Sequence, residues 1–230
     1  MKKIFFTILL TLFASGTAMA LEEIPSVEIF GGYSLMELGA SNEDIFHFQE
    51  GLYAGGKWNA EDSSFLMNRG ARGSVAYNLN EYVSIVADVR YNQGNLKEGH
   101  FEFVSPETQA EVRTPFVVGL KNASVLAGPR FSYRNLLNER VLVFGHALAG
   151  LDYWRLNCDF TISGESRNGK DDKYSPGVLI GGGFDVNVHE KIAVRVIQAD
   201  YYVTRQMEHR MNNVNLSFGI VFRVGEKVLR

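Results

Sequence analysis

The 230-residue chain holds a single cysteine, Cys158, so no internal disulfide can staple it and stability has to come from the fold. Prolines number only five, and no Pro/Ser-rich linker, low-complexity tract or shift of composition divides the chain. Beyond residue 20 there is no long uninterrupted apolar stretch, which excludes a helical membrane protein. The one early run, Ile4 to Phe13, is shorter than the roughly 20 apolar residues a spanning helix needs. Positive charge is not in excess either, with 23 Lys plus Arg against 26 Asp plus Glu, so the basic footprint of a nucleic-acid partner is missing.

What is there begins with Met1-Lys2-Lys3, the apolar run, and Ala18-Met19-Ala20, whose small-x-small form predicts a signal peptide over residues 1–20, cleaved after Ala20. No cysteine follows that point, so the signal is not of the lipoprotein kind. A mature chain of 21–230 fits one all-β barrel domain better than two domains. Glycine, tyrosine and phenylalanine are spread through short runs of alternating polarity.

Those runs predict eight strands. They are Val27–Leu35, Gly70–Leu79, Tyr82–Tyr91, Asn122–Tyr133, Val141–Trp154, Gly177–Val188, Ile192–Val203 and Asn213–Val224. Links after the second, fourth and sixth are short, whereas 36–69, 92–121 and 155–176 are long and the link after the seventh is moderate. Short turns at one end and long loops at the other are what an antiparallel up-and-down transmembrane barrel shows, turns in the periplasm and loops outside.

The distribution of charge over the two strand faces separates a membrane barrel from a soluble lipocalin-type carrier. One face collects Val75, Tyr77, Ile85, Val89, Phe131, Val141, Val143, Leu151, Leu216 and Phe222. The other collects Glu28, Arg72, Asp88, Arg90, Arg130, His146, Asp152, Asp185, Arg195 and Arg223. An Arg or Lys at mid-depth on a lipid face costs about 2–4 kcal/mol, so the charged face is expected inside. Tyr33, Tyr77, Tyr91, Tyr133, Tyr153 and Trp154 fall near strand ends, where interfacial girdles sit.

One strand breaks the alternation. In "IAVRVIQADYYV", Arg195 is out of phase with Gln198 and Asp200. A β-bulge at Val196-Ile197 restores the phase, turning Arg195, Gln198, Asp200 and Tyr202 inward together.

"FGGYSL", "GPRFSYRN", "FGHALAG", "GGGFDV", "RVIQADYYVTR" and "NNVNLSFGIVFRVG" together resemble the OmpA-like, porin-superfamily outer-membrane β-barrel proteins of double-membraned bacteria, over about Val27 to Gly225. Ser217, Gly219, Phe222 and Val224 match the polar-x-Gly-x-x-hydrophobic-x-hydrophobic signal read by barrel-assembly machinery in that family, although "GEKVLR" follows it here. The resemblance implies the fold and a bacterial outer-membrane location, not an activity, since such barrels serve as anchors, adhesins, receptors and a few enzymes. The implied partners are outer-membrane lipid and lipopolysaccharide, the assembly machinery during biogenesis, and a surface ligand at the long loops. A monomer without cofactor is expected.

Eight strands enclose room only for side chains, so the interior is expected as a packed polar core in which charges are paired. Counting back from the turn at Leu79-Asn80 sets Arg72 opposite Asp88, the His189-Glu190 turn sets Asp185 near Arg195, and closure brings Arg223 toward Glu28. A gated ion path through that network is the alternative use of the same residues.

Other motifs carry little. "GLYAGGKW" (Gly51 to Trp58) has phosphate-loop spacing but Trp58 stands where Ser or Thr would hold magnesium, so an extracellular loop is expected. His189-Glu190 opens like a zinc-protease helix without the second His, and His47, His100, His146, His189 and His209 show no ligand spacing. Glu43, Asp44, Glu50, Glu61 and Asp62 in the first loop match no calcium pattern. An outer-membrane lipid A deacylase would use a His-x-Ser pair, which the chain lacks. A non-enzymatic barrel of structural, adhesive or surface-interaction type is expected, with a lipid-modifying hydrolase or narrow channel as the alternative.

Overall fold

The structure is a computed structural model that describes residues 23–37, 57–60, 67–104, 111–137, 140–162, 165–206 and 209–228. Residues 1–22, with the expected signal peptide, and the acidic first loop other than 57–60 lie outside the described residues. Among the described residues there are nine strands: β1 (Glu23–Glu37), β2 (Lys57–Ala60), β3 (Met67–Asn78), β4 (Val83–Val104), β5 (Glu111–Leu136), β6 (Val141–Ile162), β7 (Glu165–His189), β8 (Ile192–Gln206) and β9 (His209–Val228).

Eight of them close an antiparallel barrel. Neighbours in sequence pair throughout, β9 returns to β1, and β2 is appended to β4 outside the ring. Following the ladder once around returns to β1 about ten residues further along, the stagger of a tilted eight-stranded barrel. Closure leaves no unpaired edge on the eight, the condition for a sheet to cross lipid.

The inward and outward faces follow the alternation. Val75, Ile85, Val89, Val125, Phe131, Leu151, Ile180, Phe218 and Phe222 stand exposed on the outside, while Glu28, Arg72, Asp88, Arg130, Asp185 and Arg223 are buried inside. Two side chains depart from the expected faces. Trp154 is fully buried because it shares the parity of His146 and Asp152 on β6, so it belongs to the interior and not to a girdle. Val141 is also buried, at the strand end where Leu136 and Val186 flank it in the ladder.

The first hairpin is shifted from the expected register. Its turn spans Leu79 to Tyr82, with the Asn80 side chain accepting from the Tyr82 and Val83 amides at 2.9 and 2.8 Å. Asn78 therefore faces Ser84, and Arg72 faces Arg90 while Ser74 faces Asp88. The Asx turn takes up two more residues than the count from Leu79-Asn80 allowed.

Segments 92–121 and 155–176, expected as loops, are for most of their length strand. β4 and β5 run 22 and 26 residues and pair out to Val104 and Glu111; β6 and β7 run 22 and 25 and pair out to Ile162 and Glu165. A spanning strand needs only about 9–11 residues, so these hairpins extend well past the apolar belt. Lys57 to Ala60, expected in a loop, add a short strand to the β4 extension opposite Gly99 to Glu102.

Candidate functional site

Two local devices build the interior. The bulge expected in β8 is present: on the β7 side Phe184 faces Ile197 and Asp185 faces Arg195, and on the β9 side Arg195 faces Gly219 and Gln198 faces Ser217, leaving one residue extra. Arg195, Gln198, Asp200 and Tyr202 are all buried, while Ala199 and Tyr201 face out. The second device is the glycines of β7, which keep the wall opposite those groups thin. A Cβ on Gly181 would stand 2.1 Å from Asp200 Oδ1, and one on Gly177 would stand 2.6 Å from the Tyr202 hydroxyl.

The charges they admit fall into three groups along the barrel axis. Nearest the short turns, Glu28 accepts from Arg130, meets Arg134 Nη2 at 2.9 Å and has Arg223 Nε at 3.9 Å. Glu28 and Arg223 are direct ladder partners. Arg130 also donates to Asn78 and Ser84, each at 3.3 Å, and Asn78 donates to the Pro25 carbonyl at 2.7 Å, tying this group to the first hairpin.

In the middle, Arg72 donates from Nε to Asp88 at 2.7 Å and from Nη1 to Asp200. His146 Nε2 lies 2.8 Å from Asp200 Oδ1, and Gln198 donates to both Asp200 oxygens at 3.1 and 3.2 Å. Arg195 holds Asp185 through two bonds of 2.8 and 3.0 Å and gives a third, 2.8 Å, to Gln198. Its guanidinium lies between the rings of Phe30 and Phe144, 4.3 and 4.4 Å from their centroids. Hydrogen bonds therefore link Asp185 on β7 to Asp88 on β4 through Arg195, Gln198, Asp200 and Arg72.

Toward the long hairpins, Arg90 stacks over Tyr202 at 4.3 Å and reaches Asp88 at 3.4 Å, and Asn122 donates to Asp152 at 2.6 Å. Ser217 also faces inward, 3.3 Å from Arg72, whereas Phe222 and Val224 lie on the outside and Gly219 opposes Gly32 in the closing ladder.

Sequence reasoning missed Arg134, Asn78 and Ser84 near the turns, and Phe30, Phe144 and Asn122 among the partners. Arg134 had a signal, since it lies four residues from Arg130 on one strand and so on the same face. The Arg72–Asp200 contact had none, because it crosses the lumen between strands 128 residues apart.

Buried ion pairs of this kind contribute little net stability, but removing one partner leaves an uncompensated buried charge and costs about 3–5 kcal/mol. Chemically most of these charges are answered, but the Arg90 guanidinium makes no hydrogen bond and meets Asp88 only at 3.4 Å, and Arg223 meets Glu28 only at 3.9 Å. Strand serines Ser34, Ser84, Ser124, Ser132, Ser175 and Ser217 all sit on the inward side, away from lipid. Among the described residues no group of three or more His, Cys, Asp and Glu side chains has the arrangement of a metal site.

Comparison with known proteins gives one family and several similar solved structures. Residues 6–223 match the family described as "Outer membrane protein beta-barrel domain". No curated protein matches the sequence. Among solved structures, the chain is similar to Ail, the attachment invasion locus protein of Yersinia pestis, at 16% identity, covering 86% of this chain and 99% of that one with a TM-score of 0.46. Neisserial surface protein A is similar at 12% identity, covering 86% and 97% with a TM-score of 0.42. OprG of Pseudomonas aeruginosa is similar at 9% identity, covering 87% and 96% with a TM-score of 0.42.

Proposed function

Since the chain belongs to the outer membrane protein β-barrel family, we propose that it is a non-enzymatic surface anchor, closed to solute flow, that holds its long hairpins outside the cell for structural or adhesive contacts. The observation that carries this reading is the filled lumen. Arg72, Asp88, Asp200, Gln198, Arg195 and Asp185 link side chain to side chain across the interior, and Phe30 and Phe144 close in on Arg195. The lumenal residues named from sequence act in this reading as structure: their pairing fixes which strands sit opposite one another and keeps water-filled space small. Residues 1–20 act as the export signal, and Ser217, Gly219, Phe222 and Val224 as the assembly signal.

The extensions of β4–β5 and β6–β7 supply the contact surface, raised on paired strands and so held at a fixed angle to the membrane. Two measurements test the proposal together. Purified protein in planar lipid bilayers is expected to give no conductance steps above protein-free lipid; steps that scale with salt concentration would show a pore or narrow path. Cells carrying hairpin-shortened protein are expected to keep the barrel in the outer membrane and to lose envelope integrity or surface binding. Unchanged envelope integrity and unchanged surface binding in those cells would remove the adhesive and structural readings.

A further inference from the structure

Charge is unevenly balanced along the lumen. In the group nearest the short turns a single carboxylate, Glu28, faces three guanidinium groups, those of Arg130, Arg134 and Arg223. That group carries two positive charges in excess. Among the described side chains nothing nearby answers them. Asp185, the other carboxylate whose charge reaches Arg223, is held by two bonds from Arg195. The Glu81 carboxyl bonds Tyr82 at the first turn, and Glu190 is exposed on its own turn.

Arg223 is the least satisfied of the three. Its side chain is 3% exposed, Nε stands 3.9 Å from Glu28, too far for a hydrogen bond, and Nη1 has no partner. Arg130 Nε and the Ser132 hydroxyl are buried without partners as well. Arg130, Ser132 and Arg134 follow one another on the inward face of β5, across the lumen from Glu28, whereas Arg223 stands beside Glu28 in the β1–β9 ladder. Unused donors therefore approach the space around Glu28 from two walls. A buried guanidinium without a counter-charge is costly, and elsewhere in this lumen Arg72 and Arg195 each have a bonded carboxylate. Arg134, 13% exposed, marks the side on which the group opens toward the short turns.

We propose that this end of the lumen is a binding site for a phosphate group in its dianionic form, entering past Arg134 from the side of the short turns. The two charges of the ligand match the local excess. Its oxygens take the free N–H groups of Arg223 and Arg130 and the Ser132 hydroxyl as charge-assisted or neutral donors. Because the three guanidinium groups converge on one carboxylate, a compact dianion suits them, and a dicarboxylate with its charges far apart does not. The site is a blind cup, since the side-chain chain from Asp185 to Asp88 closes the lumen beyond it. It needs only the closed barrel and is independent of any adhesive role of the hairpins.

The test is isothermal titration of inorganic phosphate into the full chain folded in detergent micelles, at mildly alkaline pH where phosphate is dianionic. Saturable binding of one phosphate per barrel is expected. R223Q is expected to weaken it about tenfold, the effect of losing one charge-assisted hydrogen bond. R90Q, which removes a guanidinium from the opposite end of the lumen, is expected to bind like wild type. Glycerol 3-phosphate separates the two sources of the ligand: binding equal to that of inorganic phosphate assigns an esterified phosphate, and binding of inorganic phosphate alone assigns the free ion. No saturable binding by the wild-type chain would overturn the proposal. So would an R223Q variant that binds like wild type, a loss in R90Q as large as in R223Q, or equal binding of succinate or chloride. Heat-modifiable migration on a gel reports folding of each variant separately, and if R223Q does not fold, R134Q at the rim decides by the same comparison.

Discussion

Single side chains decide how much charge the lumen can hold. Gly181 is the clearest case, because the space a Cβ would take is already filled by Asp200 Oδ1 at 2.1 Å and the Ala199 carbonyl oxygen at 2.5 Å. G181A should push Asp200 away from Arg72 and His146 and cost about 1–3 kcal/mol, seen as a lower urea midpoint for unfolding from vesicles. Substitution at Gly31, where an added Cβ meets nothing within 4 Å, should leave that midpoint nearly unchanged. Outside the belt the Arg155–Asp172 contact behaves differently. The hydrogen bonds from Arg155 hold the Asp172 carboxyl below its ordinary range. A lowered carboxyl favours the folded state above the ordinary Asp range and loses that effect as pH falls through its own value. Both groups are exposed, so the effect on stability is screened. The expected result is a carboxyl resonance of Asp172 that titrates low in the wild type and moves up in R155Q, with no change in unfolding midpoint.

Which residues were legible at this scale follows from sequence separation. Asp185 and Arg195 lie on strands joined by a two-residue turn, so counting alone brought them together. Arg72 and Asp88 do bond, although diagonally, because long side chains on one face reach a neighbouring rung. The Arg72–Asp200 and Glu28–Arg130 contacts join strands that are not sequence neighbours, and nothing local to either residue specifies the other.

At the scale of the strand, β8 shows how a backbone irregularity sets chemistry. Counting from Arg195, its inward residues are in phase only if one residue of Val196-Ile197 is surplus. Deleting Val196 should therefore be tolerated, since Ile197 would then alternate between Arg195 and Gln198 and all inward groups would stay inside. Deleting Ala199 should not, because Asp200 and Gln198 would become adjacent and one of them would meet lipid. Heat-modifiable migration of the two deletion variants distinguishes them. A ΔVal196 chain that fails to fold, or a ΔAla199 chain that folds as well as wild type, contradicts this reading.

The upper parts of β4 to β7 were not legible as strands for a related reason. Inside the belt one face meets lipid and the other the packed lumen, which imprints period-2 polarity on the sequence. Beyond it both faces can meet water, as the exposure of consecutive residues Lys170 to Tyr174 shows, and the alternation fades although backbone pairing continues.

For the molecule as a whole, closure separates the barrel from what it carries. The eight-stranded ladder is complete at the level of Gly94–Leu120 and below, where Leu120 is still buried. Replacing residues 98–117 by a two-residue turn should leave the unfolding midpoint within about 0.5 kcal/mol of wild type, as expected for changes away from packed features. It removes the rungs to which β2 pairs, so any surface binding that depends on that side should be lost. A large drop in midpoint would show that the extensions help to hold the barrel closed.

The sequence by itself determined the all-β class, the number of strands in the ring, which residues face lipid apart from Trp154 and Val141, and where β8 bulges. Those features follow from polarity repeating at the two-residue period of a strand, and from the cost of charge in hydrocarbon, which every short segment records separately. Only the tertiary structure decided the register of the first hairpin, the inward turn of Trp154, the length of the outer hairpins and the partners of Asp200 and Glu28. These depend on an Asx turn's backbone geometry and on the stagger with which the ring closes, and the stagger is a property of all eight strands together, written in no single one of them.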